Sequence, residues 1–93
     1  MLKIKDDVDL KELEKYGFKI IPKGIYAKSI KRIHPMGDAN VTEIFIIVDK
    51  DRIIKKYEVW SYLNFAFHEK EKHLFKFQIK DLIKANLVKK VGE

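Results

Sequence analysis

The stretch Thr42–Val48, TEIFIIV, decides the fold of this chain. It is rich in β-branched and apolar side chains, and such a continuous run predicts a strand that is covered on both faces and therefore central in its sheet. Polar residues 49–52 follow it, and residues 53–60 are again β-prone. The two runs together predict a β-hairpin whose loop is built around a type I turn.

Two further strands are predicted on the N-terminal side of this hairpin. Residues 25–33 are β-prone with imperfect alternation, and the loop-like stretch 34–40 separates them from the hairpin. Residues 19–21 form a short β-prone run that leads into a turn signal at residues 22–24. These runs predict an antiparallel sheet of four or five strands.

On the C-terminal side, residues 61–77 are ambiguous between strand and helix. Leu63, Phe65 and Phe67 alternate, which favours a strand. Residues 69–72 are polar and predict a turn, and residues 73–77 fit either a last strand or the entrance to a helix.

A short N-terminal helix is predicted for residues 10–16. Asp9 is a good N-cap, and Glu12 completes a capping-box pattern. Gly17 fits the left-handed position of a Schellman motif at the other end. Two helical turns do not persist alone, so this helix is expected to pack against the sheet.

A second helix is predicted for residues 78–85, with Asn86 in the left-handed position that ends it. Residues 87–91 then form a short terminal strand or a tail. The predicted apolar stripe of this helix consists of Phe75, Ile79, Leu82 and Ile83.

The chain of 93 residues predicts a single domain, residues 1–93. Its pattern of elements predicts the α+β class: a small antiparallel sheet with a short N-terminal helix and a C-terminal helix packed on one face. A hydrophobic content of 46% and a charged content of 37% are typical of a globular chain.

Two segments resemble small uncharacterised proteins encoded by phages and prophages of Gram-positive bacteria. Asp7–Phe18, DVDLKELEKYGF, looks like the start of those proteins, and Asp81–Val88, DLIKANLV, is similar to the exit of their C-terminal helix. Residues 24–77 take no part in the resemblance. It implies a phage or prophage accessory protein and brings no activity and no functional residues with it.

The net charge of +6 rests almost entirely on lysine, because the only arginines are Arg32 and Arg52. Arginine makes bidentate contacts to guanine and phosphate, whereas lysine is a point charge. The basic excess falls in residues 16–40 and 68–93, and it forms a patch for a polyanion only if the fold brings both segments to one face. The competing explanation is the lysine- and isoleucine-rich composition that an AT-rich genome produces.

A candidate polyanion-binding set comes from both basic segments. Lys76, Lys80 and Lys84 are spaced by four residues and would form one stripe on a helix, to which Lys31 and Arg32 could add. The competing interpretation is a solvated helix face. That interpretation is favoured because the aromatic side chains that stack on single-stranded bases would also have to be exposed.

Two other clusters are assigned structural roles. His68 and His73 flank two glutamates, but their spacing diverges on a helix and no third zinc ligand is evident, which favours a solvated turn. A dense aromatic group is predicted as core rather than as an exposed binding strip, because such side chains bury most of the apolar area of a small domain. This group consists of Trp60, Tyr62, Phe65 and Phe67.

Catalytic, cofactor and membrane motifs are missing from the sequence. There is no cysteine, the glycines are isolated, and the hydroxyl residues lack elbow glycines. The longest apolar run, residues 44–48, is far short of the roughly 20 residues that span a bilayer, and no secretory signal precedes it. The sequence therefore predicts a cytoplasmic, non-enzymatic protein with no cofactor and no membrane partner.

Two hypotheses about function remain open at this point. The first is a protein-interaction module whose partner is another, unidentified protein, in the setting of a phage accessory factor. The second is a lysine-based, nonspecific nucleic-acid-binding protein. A small hydrolase or metal enzyme is disfavoured because no constellation for such chemistry is present.

Overall fold

The computed structural model describes residues 1–33, 41–61 and 67–92. Three 3₁₀ helices, Leu10–Tyr16, Pro22–Gly24 and Lys76–Ile79, and one α-helix, α1 (Lys80–Lys84), lie within these ranges. The strands are β1 (Leu2–Ile4), β2 (Lys19–Ile21), β3 (Ile25–Ile33), β4 (Val41–Val48), β5 (Ile54–Ser61), β6 (Phe67–Lys72) and β7 (Val88–Lys90).

The main sheet has five antiparallel strands in the order β2-β3-β4-β5-β6. The α+β class, the antiparallel sheet and the C-terminal helix are therefore confirmed, and β4 is the central strand as its sequence predicts. The β4–β5 hairpin closes where Val48 pairs with Ile54. Asp49 holds its turn, because its carboxylate accepts hydrogen bonds from the N–H groups of Asp51 and Ile53 at 2.9 and 3.0 Å.

A second, two-stranded sheet joins the ends of the chain. β1 and β7 are antiparallel, with Leu2 opposite Lys90 and Ile4 opposite Val88. An isolated bridge from Lys3 to Ile53 connects this small sheet to the start of β5. The sequence predicts residues 87–91 as either a strand or a tail, and it predicts no strand at residues 2–4. The pairing of β1 with β7 is therefore found only in the structure.

The core lies on one face of the main sheet. Ile46 and Val48 of β4 have no exposed area, and the two helical segments near the ends of the chain add Leu13 and Leu82 to the same cluster. Ile47, which alternates to the opposite face, is only half-buried. The central strand is therefore not covered equally on both faces, because the helical segments pack on only one of them.

The predicted N-terminal helix differs from expectation in type. Leu10–Tyr16 is a 3₁₀ helix, with Asp9 capping it through a hydrogen bond from the N–H of Lys11 at 3.0 Å. Gly17 adopts φ 91° and ends it, as predicted. Hydrogen bonds between residues three positions apart are present at both ends of this segment, from Glu12 to Asp9 and from Gly17 to Glu14. The few residues between them are too short a stretch for an α-helix to form.

The C-terminal helix is shorter than predicted, because a 3₁₀ turn occupies Lys76–Ile79 and α1 begins only at Lys80. Ile79 and Leu82 are buried, but Phe75 is 51% and Ile83 40% exposed, so the predicted stripe is wrong for these two. The tighter turn has about three residues per turn, which rotates Phe75 away from Ile79. Asn86 has φ 63° and ends the helix as expected.

The ambiguous region 61–77 contains an edge strand. Residues 69–72, predicted as a turn, belong to β6, because alternating charges suit the exposed edge of a sheet. The loop-like stretch 34–40 and the alternating residues 62–66 lie outside the described residues. The same holds for the side chains of the predicted aromatic core group, Trp60, Tyr62, Phe65 and Phe67.

Candidate functional site

The two basic residues predicted from β3 lie on opposite faces of the sheet. Lys31 pairs with Ile44, on the face that carries the core, whereas its neighbour Arg32 pairs with Glu43 on the other face. Successive strand residues point to opposite sides, so Lys31 and Arg32 do not join one patch. Both side chains are exposed.

The predicted lysine stripe is divided between two depressions of the surface. Lys76, Lys80 and Lys84 are all exposed. Lys76 lines a cleft near β1, and Lys80 lines a small groove beside Phe18. Lys84 lines neither of the two. The break between the 3₁₀ turn and α1 therefore separates lysines that a continuous helix would have aligned.

Three aromatic rings stand exposed in the segment that leads into α1, and we call them the aromatic ladder: His73, Phe75 and Phe77. The Phe75 and Phe77 rings are stacked, with centroids 6.0 Å apart and planes 16° apart. His73 meets Phe75 edge-on at 5.3 Å. Phe75 is 51% and Phe77 72% exposed, which is unusual for two large apolar side chains in direct contact.

Gln78 fixes the backbone at the centre of the ladder. Its side-chain oxygen accepts a hydrogen bond from the N–H of Phe75 at 2.9 Å. Its own N–H donates to the carbonyl oxygen of Phe75 at 3.0 Å. This reciprocal pair caps the 3₁₀ turn at Phe75.

One lysine of the sheet approaches the ladder. Lys56 of β5 places its Nζ 5.1 Å from the ring centroid of Phe75, within cation–π range. Lys72, opposite Lys56 in the register, forms an ion pair with Glu58 at 3.1 Å. The aromatic rings are therefore bordered by positive charge on the side that faces the sheet.

A small groove of about 90 Å³ continues from the far end of the ladder. Its lining includes Phe77 and Lys80 together with Phe18 and Lys28. The Nζ of Lys28 lies 5.9 Å from the Phe18 ring centroid. The lining of this groove therefore combines aromatic rings with lysines and includes one acidic residue, Asp81.

A larger cleft of about 600 Å³ lies at the other end of the ladder. Its walls are the starts of β1 and β5, the segment 71–76 and Lys90 of β7. Lys55 on its wall forms an ion pair with Asp49 at 3.4 Å. The hydrogen bond to Asp49, followed by the charge of Glu71, raises the pKa of Lys55 and keeps it protonated.

Sequence reasoning missed Lys28, Lys56, Phe75 and Phe77 as site residues. The sequence predicts Phe75 in the core stripe of a helix, but this helix starts only at Lys80. The alternation of ring and lysine over residues 75–77 is a signal that could have found the ladder, because an amphipathic helix does not alternate with period two. Lys28 and Lys56 become recognisable only from the strand register.

The described side chains contain no group of three or more metal-ligating residues. In the cluster where His68 and His73 flank two glutamates, His73 and Glu71 are exposed, and the side chains of His68 and Glu69 lie outside the described part. No helix in the described part is long and apolar enough to cross a membrane. No family model, curated protein or solved structure matches the chain. The phage-protein resemblance and the cytoplasmic location stay predictions.

Proposed function

We propose that this protein binds single-stranded nucleic acid without sequence preference. The observation that carries the proposal is the stacked, exposed pair Phe75 and Phe77 bordered by Lys56. Exposed aromatic faces beside a basic surface are the recurring means of holding unpaired bases, since every base has a face on which to stack.

The lysine groups supply the sequence-independent part of the binding. Lys28 and Lys80 border the small groove, and Lys56 and Lys76 border the ladder. Together with the net charge of +6, they attract the phosphate backbone, and each neutralised phosphate releases counterions. Affinity should therefore fall steeply as salt rises.

The two arginines are not placed to recognise individual bases beside the aromatic ladder. Arg52 directs its guanidinium into hydrogen bonds with the carbonyl oxygens of Lys5 and Val8. Arg32 lies opposite Glu43, on the face of the sheet away from the ladder. With both arginines placed elsewhere, the bidentate contact to guanine is not provided beside the aromatic rings.

The test is fluorescence anisotropy with a labelled oligothymidylate and with a duplex of the same length at low salt. The single strand should bind more tightly. Phe77→Ala should weaken its binding by about 5- to 150-fold, which corresponds to the roughly 1–3 kcal/mol of one stacked base. Ile83→Ala is the matched control, because Ile83 is a 40% exposed apolar residue that lines neither the groove nor the cleft.

Each outcome is informative. Equal affinity for single strand and duplex, unchanged in Phe77→Ala, would favour a lysine-only binder over the proposed stacking. Lack of binding to either nucleic acid at low salt would contradict the proposal altogether. Equal losses in Phe77→Ala and Ile83→Ala would show that the aromatic ladder has no special role.

A protein-interaction module is the second candidate, and the sheet face opposite the core favours it. Phe45 and Tyr57 are cross-strand partners on that face, and both are only half-buried. Half-exposed apolar side chains in a row suit a protein partner. Under this function, Tyr57→Ser would abolish capture of the partner while Phe77→Ala would not.

A further inference from the structure

The cleft at one end of the aromatic ladder has the volume of a small-molecule site and a lining of apolar and basic residues. Its volume of about 600 Å³ falls within the roughly 300–1,000 Å³ of small-molecule sites. Phe75 belongs both to the cleft and to the stacked pair. A strand whose bases stack on the ladder would therefore run directly into the cleft.

The lining combines an apolar floor with cations. Leu2 and Leu74 are half-buried, and Ile54 is 4% exposed. These residues offer an apolar surface beside the ring of Phe75, which suits the flat face of a base. A base lying against this floor would leave its sugar and phosphate at the lysine-bearing rim.

Four lysines line the cleft against one glutamate. Lys55 and Lys72 already hold Asp49 and Glu58. Within the part of the chain that the structure describes, Lys76 and Lys90 have no acidic partner in contact. Two uncompensated positive charges therefore border the same cleft.

We propose that this cleft binds the phosphate-bearing terminal nucleotide of a single strand, with Lys76 and Lys90 contacting the phosphate. A phosphate monoester carries a charge of about −1.5 to −2 at neutral pH, which matches two lysines. A diester within the chain carries only one negative charge. The inference rests on the proposed binding of single strands, and it adds a preference for the strand end.

The experiment compares three oligothymidylates of equal length: 5′-phosphorylated, 3′-phosphorylated and unphosphorylated. One phosphorylated form should bind about three- to tenfold more tightly, as expected for added ion pairs with two exposed lysines. Lys90→Gln should abolish this preference, because it should weaken binding of the phosphorylated strand more than binding of the unphosphorylated one. Lys50→Gln, which removes an exposed lysine of the β4–β5 turn, is the matched control and should keep the preference.

The outcomes separate this inference from the proposed function. Equal binding of all three strands would overturn the cleft assignment and leave single-strand binding intact. A preference that survives in Lys90→Gln, or one lost equally in Lys50→Gln, would also overturn it.

If no strand binds, the proposed function fails, and the cleft is tested with the free nucleotide. Thymidine monophosphate should then shift the backbone amide signals of Leu74 and Lys90, whereas thymidine should not. Shifts with the monophosphate alone would support a site for free nucleotides instead of strand ends. Absence of shifts with both would overturn the site.

Discussion

Nη1 of Arg52 lies 2.7 Å from the carbonyl oxygen of Val8, and the same nitrogen lies 2.8 Å from that of Lys5. One guanidinium therefore ties the β4–β5 turn to the loop that precedes the 3₁₀ helix Leu10–Tyr16. The carbonyl of Arg52 also accepts a hydrogen bond from the N–H of Ile4 at 2.9 Å. Its φ of 69° is in the left-handed region, a cost that these bonds offset.

Replacing Arg52 by alanine should destabilise the fold by about 1–3 kcal/mol, because the carbonyls of Lys5 and Val8 lose a charged donor. The measurement is the urea midpoint of unfolding. Lys50→Ala, in the same turn and exposed, is the control and should cost less than about 0.5 kcal/mol. Equal midpoints for the two variants would show that the guanidinium bridge contributes nothing measurable.

Gly17→Ala should destabilise by about 1 kcal/mol, because a Cβ is disfavoured in the left-handed region. At φ 91°, the new Cβ would also lie 3.2 Å from Cε of Lys28. Gly24→Ala is the comparison, since Gly24 has φ 76° and open space around it. In urea unfolding, Gly17→Ala should lower the free energy of unfolding at least as much as Gly24→Ala. A Gly17→Ala variant that is more stable than the unmodified protein would contradict the left-handed conformation at the end of the 3₁₀ helix.

The parts of the fold that the sequence predicts are those set by neighbouring residues. Asp9, Gly17 and Asn86 end or begin helical segments through bonds to residues at most five positions away. The apolar run in β4 predicts a central strand because only an inner position buries so many β-branched side chains. Features of this kind can be predicted from the sequence without knowledge of the tertiary structure.

The parts of the fold that the sequence does not predict depend on contacts between distant residues or on a small change in the number of residues per helical turn. β1 and β7 pair across nearly the whole chain, so neither short run predicts its partner. The late start of α1 at Lys80 leaves Phe75 exposed instead of buried, and no local rule fixes that start. The candidate site follows from this shift, since Phe75, which periodicity assigns to the core, is one of its exposed rings.

Asp6 links β1 and β7 of the small sheet through ion pairs, and it should make the stability of the fold depend on pH. Its carboxylate lies 3.1 Å from Nζ of Lys3 and 3.2 Å from Nζ of Lys89. The hydrogen bond to Lys3, then that to Lys89, lowers the pKa of Asp6. A carboxylate with a lowered folded pKa stabilises the fold above the unfolded pKa of about 4 and loses this as pH falls through the folded value.

Asp6→Asn should therefore lower the urea midpoint at about pH 6 and converge with the unmodified protein as pH falls below the folded pKa of Asp6, where both side chains are neutral. Asp7→Asn is the control, because Asp7 is an exposed neighbour with no ion pair among the described residues. A difference between Asp6→Asn and the unmodified protein that is constant from acid to neutral pH would contradict the ion-pair explanation.

The salt dependence of single-strand binding should distinguish the lysines of the site from their neighbour in sequence. Lys76 lines the cleft and Lys80 the small groove, whereas Lys84, one helical turn further, lines neither. For single strands, each phosphate contact contributes about 0.7 to the slope of log affinity against log salt. Changing Lys76 and Lys80 together to glutamine should thus reduce the slope by about 1.4, whereas Lys84→Gln should leave it unchanged. These slopes are obtained from affinities measured at several salt concentrations. If each of the three lysines reduced the slope equally, the strand would follow the helix face and not the aromatic ladder.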